Sequence, residues 1–546
     1  MSFFKTAAIF SNSCVLQRNK VIDIFGTTTL PAIIKVELSK GGKVISANES
    51  WFSEGKWCVS LPKMDAQTGL ELKIIGVSGN KTHSFSFTDV AVGEVWLCGG
   101  QSNMEFELQN CTEGPDALAE AADPNVRFYY TQKKAWLDDD FYASEAKTAW
   151  QKWDSDGKKA WSAVGFFFAK KLASDLGITV GLIGCNWGGT SASAWMSEDR
   201  LASDSDLKSY LDEQEAATRG ISEEDQIKAY NDYLVRAAEW DKRAQKVWAV
   251  NPTIDWEELQ QQIGKNEYPG PKTCNNPYRP SGLYKCMLQR IMPYTMKGVL
   301  WYQGESDDHK PAMYRKLLTR MIENWRTDWH DPDLPFVVVQ LPGHRNKNDP
   351  DFKHWPLIRQ AQAEVCSSVS NVYLACALDL GAYNDIHPKF KKCIADRMES
   401  IVLCKMYRQI AENTGFLNDN DFTGIISPVL ESALICKDKI IIQCENASAG
   451  FEICTDNDRM DHYISMEKHQ GRNLSKSEIE NWTGFEIAGS DGKFVPAKVV
   501  FDGSKIHLSS PDIKYPKEAR YSWFNYSPIV VYGKKNHLPL APFWFK

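Results

Sequence analysis

Hydrophobic and polar positions divide the chain into three regions that differ in period. Residues 1–91 hold short alternating segments separated by Gly, Asn and Ser, which is typical of half-buried β-strands. Residues 92–415 alternate apolar strand-like runs with helical patterns, such as the i, i+3, i+4 stripe from Tyr314 to Trp325. Residues 416–546 return to short alternating strands. We therefore predict an α/β protein with a central domain that contains a parallel sheet, and β-sandwich regions from the N- and C-terminal segments.

Four apolar runs of the central region end abruptly in small and polar residues. The carboxyl ends of parallel strands meet at one edge of an open sheet, where such folds place their sites, so we expect the four clusters to gather there. Together they supply a serine, glycine N–H donors, a side-chain amide and a late histidine beside an acid. The clusters lie at 99–104, 186–191, 303–307 and 379–388.

Ser102 is the candidate nucleophile in these clusters. The apolar run 92–98 ends at Gly99 and Gly100, which permit a sharp turn before a predicted helix. The first N–H groups of that helix would face a developing oxyanion. The spacing is not that of the Gly-x-Ser-x-Gly elbow, because Met104 stands where that pattern needs a glycine. Taken alone, the pattern also fits an ordinary turn serine after a buried strand.

Composition agrees with a large globular protein and excludes several classes of function. The chain has 546 residues, of which 43% are apolar and 24% charged, and a formal net charge of −7. It has no basic tract or aromatic-and-basic stripe, which argues against a nucleic-acid partner. No apolar run approaches the roughly 20 residues of a membrane span. Residues 1–10 lack the apolar core and cleavage site of a signal peptide, so we expect a cytoplasmic protein with no membrane partner.

The 14 cysteines fit the same compartment. They form no Cys-x-x-Cys pair and no Cys/His grouping with zinc-finger spacing, so we expect free, mostly buried thiols and no metal site. Cys98 and Cys185 lie in predicted strands, where packing is their expected role.

Four motifs in the chain resemble those of the SGNH-type carbohydrate O-acetylesterases, in the branch named after sialate O-acetylesterase. They are GQSNM at 100–104, WGGT at 187–190, WYQGE at 301–305 and DIHP at 385–388. Two segments near the chain ends also resemble this family, IFSNSCVLQR at 9–18 and ARYSW at 519–523. The resemblance implies a flavodoxin-like SGNH core of three layers around a parallel sheet. It also implies an esterase that acts on acetylated carbohydrates without a metal or cofactor.

On this resemblance, Ser102 attacks the acyl carbonyl, and His387 takes its proton and later delivers it to the sugar alkoxide. The backbone N–H of Ser102, one from Gly188 or Gly189, and the Gln303 side-chain amide would stabilise the oxyanion. Water activated by His387 would then release acetate from the acetyl-enzyme.

Four further residues complete the candidate site as substrate-binding residues. Glu305 would hold Gln303 in place or, alternatively, cap the helix that follows it. The substrate-binding candidates are Gln101, Asn103, Trp187 and Glu305.

The sequence leaves open which acid orients His387. Pro388 favours an extended backbone at His387, and residues two apart in an extended segment share a face, so Asp385 would reach the imidazole. The wider superfamily places its acid three residues before the histidine, where this chain has Asn384. Asp379, or a backbone carbonyl in a serine–histidine dyad, are the alternatives.

An insertion interrupts the central region at residues 200–280, and the resemblance carries no function into it. It is rich in Glu, Asp, Lys, Ala and Gln, with helical periodicity and a loop-like end at 266–272. Because it follows the second cluster, we expect a helical lid on the same face as the site. Trp240, Trp248 and Trp256 would either face sugar rings or pack between the helices.

The sugar that carries the acetyl group stays open between sialic acids and manno- or xylo-oligosaccharides. An expected cytoplasmic location favours imported oligosaccharides. A non-catalytic carbohydrate-binding protein on the same fold is the alternative function, and the set of Ser102, Gln303 and His387 argues against it. The terminal β regions are small for independent sandwiches, so we expect them to associate beside the central domain, binding carbohydrate or serving structure alone.

Overall fold

A computed structural model describes the chain as two units. The first unit consists of Met1–Tyr230, Pro271–Trp301 and Arg320–Phe336. The second unit consists of Asn231–Gly270, Tyr302–Thr319 and Val337–Lys546. The residues described are 2–252, 254–345, 354–383, 385–413, 425–455, 482–527, 529–535 and 537–546.

The N-terminal part of the first unit is built from β-strands, as the alternating pattern predicts. The strands are β1 (Phe4–Thr6), β2 (Val15–Gln17), β3 (Ile22–Thr28), β4 (Ala32–Lys40), β5 (Lys43–Phe52), β6 (Gly55–Leu61), β7 (Gln67–Ser78) and β8 (Lys81–Gly100). Strands β1, β3 and β6 form one antiparallel sheet, and β4 pairs antiparallel with β5 and β7. In β4 the side chains of Ile34, Val36 and Leu38 are buried and those between them are not, so one face of the strand forms core.

Helices and strands alternate in the part of the chain that follows. Its elements are α1 (Ser102–Glu105), α2 (Gly114–Ala119), β9 (Val126–Tyr130), α3 (Asp139–Glu145), β10 (Gln151–Lys152), α4 (Ala163–Leu176), β11 (Val180–Asn186), α5 (Glu198–Ala202), α6 (Lys208–Thr218), α7 (Glu223–Val250), α8 (Trp256–Ile263), α9 (Gln289–Ile291), β12 (Gly298–Tyr302), α10 (Pro311–Asp328), β13 (Phe336–Gln340), β14 (His344–Arg345), α11 (His354–Ser368), β15 (Val372–Cys376), β16 (Ala382–Tyr383), α12 (Lys391–Met406) and α13 (Arg408–Asn413). Short 3₁₀ helices lie at Leu108–Asn110, Asp156–Ala160, Ala192–Trp195, Glu305–Asp307 and Leu378–Leu380, and a π-helical turn at Tyr284–Leu288.

Helix α4 shows why the periodic segments were predictable. The Ser162 hydroxyl caps its start by accepting the Gly165 N–H, and Gly177 ends it with φ of 64°. Helix α10 likewise covers the predicted stripe from Tyr314 to Trp325, and both of these residues are buried.

The central sheet of the first unit is mixed. Strand β11 lies between β8 and β9 and runs parallel to both, and β12 lies on the other side of β8. Strand β10 pairs antiparallel with β9, and β7 pairs antiparallel with β8. The prediction of a parallel sheet is right for β8, β9 and β11 and wrong for the sheet as a whole. The two-residue turn between β7 and β8 permits only antiparallel pairing.

Strand β8 joins two segments that the pattern predicts as separate strands, at 84–87 and 92–98. Thr88 and Asp89 interrupt the apolar pattern, and Asp89 has φ of 56°. Pairing with β7 nevertheless continues on both sides of this point. From Val90 to Gly100 every residue is buried, as in the central strands of α/β sheets.

The C-terminal strands of the second unit form small antiparallel sheets. They are β17 (Val429–Cys436), β18 (Lys439–Glu445), β19 (Phe451–Thr455), β20 (Phe485–Ala488), β21 (Phe494–Pro496), β22 (Lys498–Asp502), β23 (Lys505–Ser509), β24 (Glu518–Tyr521), β25 (Ile529–Gly533) and β26 (Phe543–Phe545). Leu374 and Cys376 of β15 share one hydrophobic core with Ile440, Leu508 and Tyr521. These strands therefore pack against the α/β part of their own unit.

The insertion is helical, as its composition predicts. Trp240 is buried, its ring lies 5.4 Å from that of Trp256, and its Nε1–H donates to the Gly264 carbonyl over 2.7 Å. The packing alternative is therefore right for Trp240, while the side chains of Trp248 and Trp256 are exposed.

The cysteines are all free thiols, as expected, and Cys98 and Cys185 are buried. Burial raises the pKa of Cys185 to about 12, so this thiol is protonated and serves packing. Among the described residues, no helix is both long enough and apolar enough to cross a membrane.

Candidate active site

Ser102 lies at the turn between β8 and α1, as predicted. Strand β8 ends at Gly100, whose φ of 132° favours glycine, and Gln101 follows in an extended conformation. Ser102 is the first residue of α1, and the Gln101 carbonyl accepts the N–H groups of Met104 and Glu105 over 2.9 Å each. Ser102 is partly exposed, whereas Gln101 is buried. The fold therefore presents the serine hydroxyl at a helix start.

The loop at 187–190 lies beside this serine because β11 pairs with β8 to its end. Asn186 is opposite Gly100 in the parallel register, and the Trp187 N–H donates to the Gly100 carbonyl over 3.1 Å. A Cβ atom on Gly188 would lie 3.2 Å from the Cβ of Ser102, so a larger residue would have to displace Ser102 or the loop by a few tenths of an ångström. The structure thus brings Ser102, Trp187 and Gly188 together, as the motifs predict.

A carboxylate without a predicted role binds this loop. The Gly188 N–H donates to Glu105 Oε2 over 2.7 Å. Glu105 Oε1 pairs with the Lys133 ammonium, which lies 5.3 Å from the centre of the Trp187 ring. The Gly188 N–H, a predicted oxyanion donor, is thus already bound in this structure. The position of Glu105, three residues after Ser102 on one helical turn, was the signal in the sequence.

Two other predicted residues of this region differ in exposure. Asn103, the second residue of α1, is buried, and Trp187 is partly exposed. Gly189 has φ of 75°, which favours glycine in the same loop. Its predicted role as an oxyanion donor stays a prediction.

Gln303 lies in the second unit, and its side-chain amide is held at both ends. Its Nε2 donates to Asp307 Oδ2 over 2.6 Å, and its Oε1 accepts the Tyr314 hydroxyl over 2.9 Å. Its backbone carbonyl accepts Gln362 Nε2 over 3.0 Å. Gln303 and Asp307 are fully buried. This arrangement gives the amide one orientation.

Asp307 accepts the Gln303 amide, a contact that the sequence does not predict, and the predicted contact of Glu305 with Gln303 stays a prediction. Glu305 is buried and begins the 3₁₀ helix Glu305–Asp307. Residues two apart in such a turn point in different directions, so the contact of Asp307 with Gln303 could be seen only in the tertiary structure.

Asp385 and His387 are joined through a main-chain contact. The His387 N–H donates to Asp385 Oδ1 over 2.9 Å, which is an Asx-turn. Asp385 also forms a bridge with Ala382, and the backbone bends at His387. The expected extended segment is therefore a turn that carries both residues. Asn384 lies outside the described residues.

His344 lies near this turn and had no predicted role. Strand β14, which begins at His344, pairs parallel with β16, so that His344 is opposite Ala382. Burial lowers the pKa of His344 to about 4, and the nearby Asp385 charge opposes this effect. The imidazole is therefore neutral at neutral pH. The apolar strand β13 followed by Pro342 and a glycine was the missed signal, because it repeats the pattern of the other clusters.

Asp379 has a different partner. Its two oxygens each lie 2.7 Å from Arg397, at Nη1 and Nη2, in a bidentate pair. Arg397 also donates to the Cys376 carbonyl over 2.7 Å, and both charged side chains are largely buried. This geometry is typical of a structural ion pair and argues against Asp379 as the acid that orients His387.

One group of potential metal ligands occurs among the described residues. Ligand atoms of Glu452, Cys454 and His537 lie within 4.8 Å of one another, on β19 and the turn after β25. His537 Nδ1 lies 3.2 Å from Glu452 Oε1. None of these residues belongs to the predicted clusters.

Comparisons with known proteins agree with the motifs. The family model described as carbohydrate esterase, sialic acid-specific acetylesterase, matches residues 92–246 and 270–392. Sialate O-acetylesterase of Mus musculus is 27% identical over 424 residues, covering 72% of this chain and 72% of that protein. The Homo sapiens sialate O-acetylesterase is 25% identical over 424 residues, covering 72% of this chain and 69% of that protein.

A solved structure extends the similarity to the whole fold. The carbohydrate acetylesterase from Xanthomonas citri is 23% identical, and the match covers 100% of this chain and 99% of that chain with a TM-score of 0.70. The family model itself covers just over half of this chain and includes Ser102, Gly188, Gln303 and His387. The protein therefore belongs to the sialic acid-specific acetylesterase family of carbohydrate esterases.

Proposed function

We propose that the protein is a serine esterase that removes O-acetyl groups from sugars through an acetyl-enzyme intermediate. The observation that carries the proposal is the position of Ser102, at a glycine turn and helix start with the Gly188 loop beside it. A serine at such a turn is partly exposed while its neighbours are fixed by the sheet, as a nucleophile requires.

Ser102 Oγ attacks the ester carbonyl, and His387 accepts the hydroxyl proton and returns it to the sugar oxygen as the acetyl-enzyme forms. The N–H groups of Ser102 and Gly189 and the amide of Gln303 donate to the oxyanion. The hydrogen bonds from Gln303 to Asp307 and from Tyr314 to Gln303 support this role, because they hold the amide in one orientation. Water activated by His387 then releases acetate.

Asp385 is the proposed acid. Its carboxylate is tied to the His387 main chain, so the charge stays close to the imidazole. Asp379 is paired with Arg397 and is not part of this proposal.

The proposed substrates are acetylated sialic acids or acetylated manno- and xylo-oligosaccharides. The mammalian relatives are named as sialate O-acetylesterases and the Xanthomonas citri protein as a carbohydrate acetylesterase. We propose an SGNH-type core, with α6 to α8 as a lid and with Trp187 and Glu305 as sugar contacts. The partial exposure of Trp187 supports such a contact.

The test is acetate release by wild type and Ser102→Ala from p-nitrophenyl acetate, O-acetylated sialic acid and acetylated xylo- and manno-oligosaccharides. Ser102→Ala should lose on the order of 10⁶-fold in kcat, as serine hydrolases do without their nucleophile. Ser203→Ala is the matched control, because this serine is exposed and its hydroxyl donates to the nearby Arg200 carbonyl over 3.0 Å. Retention of more than a few per cent of activity by Ser102→Ala would refute the proposal.

A further inference from the structure

We infer that Glu105, whose carboxylate is paired with Lys133, is a positioning residue that holds the loop at 187–190 against Ser102 and thereby sets the size of the acyl group that the site accepts. This inference rests on the proposed function. Neither residue was predicted to act in the site. Both lie in the first unit, together with Ser102 and Gly188.

The pair connects three separate segments of the chain. Glu105 is the last residue of α1, Lys133 follows β9, and Gly188 follows β11. The Glu105 carboxylate accepts the Gly188 N–H through Oε2 and pairs with Lys133 through Oε1. A change in the Glu105 side chain therefore acts directly on the position of the Gly188 backbone.

The loop has little space between its tether and the nucleophile. A Cβ on Gly188 would lie 3.2 Å from Ser102 Cβ and 3.6 Å from Glu105 Oε2. The neighbouring parts of the loop are fixed by other bonds, from the Trp187 N–H to Gly100 and from the Thr190 hydroxyl to the Trp187 carbonyl. Glu105 thus orients the peptide that faces Ser102.

This role is distinct from a contribution to stability. The side chains of Lys133 and Glu105 are 34% and 31% exposed, and ion pairs of this exposure stabilise a protein little. A hydrogen bond from a backbone N–H to a charged carboxylate is nevertheless short and directional. Removing it should displace the loop while the fold stays intact.

A displaced loop should change the chemistry in a characteristic way. If the peptide at Gly188 forms the wall of the acyl site, its retreat makes room for a longer acyl chain and misplaces the reacting carbonyl. Rates on acetyl esters should fall, and the preference for acetyl over butyryl esters should shrink. A residue that matters only for folding would lower both rates equally.

The experiment measures kcat and KM on p-nitrophenyl acetate and p-nitrophenyl butyrate, with the melting temperature of each variant. Glu105→Ala should lose about tenfold to a hundredfold in kcat on the acetyl ester, as small misplacements of reacting groups do. Its ratio of acetyl to butyryl rates should fall about tenfold, because one or two methylenes in a pocket usually change the discrimination between substrates by at least that factor. Its melting temperature should match that of the wild type.

Glu105→Gln is the conservative variant, because its amide oxygen still accepts the Gly188 N–H while the ion pair is lost. Its kcat on the acetyl ester should stay within about fivefold of the wild-type value, because an exposed ion pair contributes little energy. Glu107→Gln is the matched control on the same segment, since the described hydrogen bonds of the Glu107 carboxylate come from the Gln109 and Asn110 side chains. Lys133→Gln removes the other half of the ion pair and leaves the Glu105 acceptor in place, so its kcat should also stay within about fivefold of the wild type. Glu105→Leu removes the acceptor while keeping more of the side-chain volume, and it should lower the acetyl-to-butyryl ratio in the same way if Glu105→Ala does not fold.

The outcomes separate this inference from the proposed function. Activity in Ser102→Ala would refute the proposed function itself. An inactive Ser102→Ala together with a wild-type acetyl-to-butyryl ratio in Glu105→Ala would overturn only the positioning role. The positioning role is also overturned if Glu105→Ala loses rate and melting temperature with that ratio unchanged. If Glu105→Ala does not fold, a wild-type ratio in a folded Glu105→Leu overturns it.

Discussion

Asp379 and Asp385 bind different groups, so we expect their substitution to change different properties of the protein. Asp379 faces the guanidinium of Arg397 with both oxygens, inside the second unit. Asp385 accepts the main-chain N–H of His387. One carboxylate therefore stabilises a buried cation, and the other stays with the segment that carries the proposed base.

Asp385→Asn should keep the turn, because the amide oxygen still accepts the His387 N–H, and should lose the charge. If Asp385 orients the imidazole, kcat falls by up to about 10⁴-fold, the loss seen when a triad aspartate becomes asparagine. Asp379→Asn should leave kcat unchanged and lower the free energy of unfolding by about 3–5 kcal/mol, because Arg397 loses a buried partner. Steady-state kinetics and urea denaturation of both variants measure these effects.

A loss of less than about tenfold in both variants would favour the serine–histidine dyad, in which a backbone carbonyl holds the imidazole. His387→Ala must be inactive under either model. A severe loss of kcat at Asp379 with none at Asp385 would contradict the assignment of Asp385.

His344 predicts a dependence of stability on pH. Its pKa is about 4 in the folded chain, where burial disfavours the charged form, and about 6.5 in the unfolded chain. Below pH about 6.5 the unfolded chain gains a proton that the folded chain does not, so stability falls as the pH falls from about 6.5 to about 4. The slope from this residue approaches about 1.4 kcal/mol per pH unit.

His344→Gln removes this titration, so its free energy of unfolding should change less between pH 7 and pH 5 than that of the wild type. Urea denaturation at several pH values measures the difference between the two curves. Parallel curves for wild type and variant would show that His344 gains its proton equally in both states.

At the scale of the element, the turn after β12 depends on a glycine. Gly304 has φ of 144°, and a Cβ there would lie 2.9 Å from Ile358 and 3.0 Å from the Gln362 side chain. Gln362 donates to the Gln303 carbonyl, and its Oε1 accepts the Leu341 N–H over 3.0 Å. Helix α11 therefore holds the turn that carries Gln303.

Gly304→Ala should strain this turn and force α11 away from it. We expect a loss of about 1–3 kcal/mol in the free energy of unfolding, the usual cost of overpacking, and a lower kcat because Gln303 moves. Gly492→Ala is the matched control, since Gly492 also has positive φ but no atom lies near its added Cβ. If Gly304→Ala and Gly492→Ala lose the same stability, the cost comes from backbone conformation alone.

At the scale of the whole molecule, Arg359 ties the C-terminal strands of the second unit to its α/β part. Its fully buried guanidinium donates to the carbonyls of Leu341, Pro342, Phe524 and Asn525 over 2.7–2.9 Å. These carbonyls belong to the segment after β13 and to the segment after β24. A single side chain therefore satisfies buried acceptors from two distant parts of the sequence.

Arg359→Met should leave these acceptors without their donors while keeping much of the side-chain volume. Because each unsatisfied buried group costs about 1–3 kcal/mol, the free energy of unfolding should fall by at least about 3 kcal/mol. Arg320→Met is the control, since Arg320 is half exposed and pairs with Glu323 on the same helix. Equal urea midpoints for the two variants would contradict this role for Arg359.

Local sequence determined the elements that bury one continuous face and the motifs at their ends. Helices α4 and α10 and strands β11 and β12 were predictable, because a period of 3.6 or a short apolar run reports burial directly. The turn at Ser102 followed from its two glycines, since few other residues adopt that backbone. The same information placed His387 on a segment with an acid two residues before it.

Only the tertiary structure decided which groups meet across long separations in sequence. The pairing with β7 and β11 joins two predicted segments into the single strand β8. The contacts of Gln303 with Asp307, Tyr314 and Gln362 likewise appear only in the fold. Glu105 and His344 each stand beside a local signal, but the groups that they contact could not be predicted for the same reason. Their contacts, with Gly188 and with the turn at Asp385, join segments whose distance along the chain leaves no periodic signal, because such contacts form only when the sheet brings strand ends together.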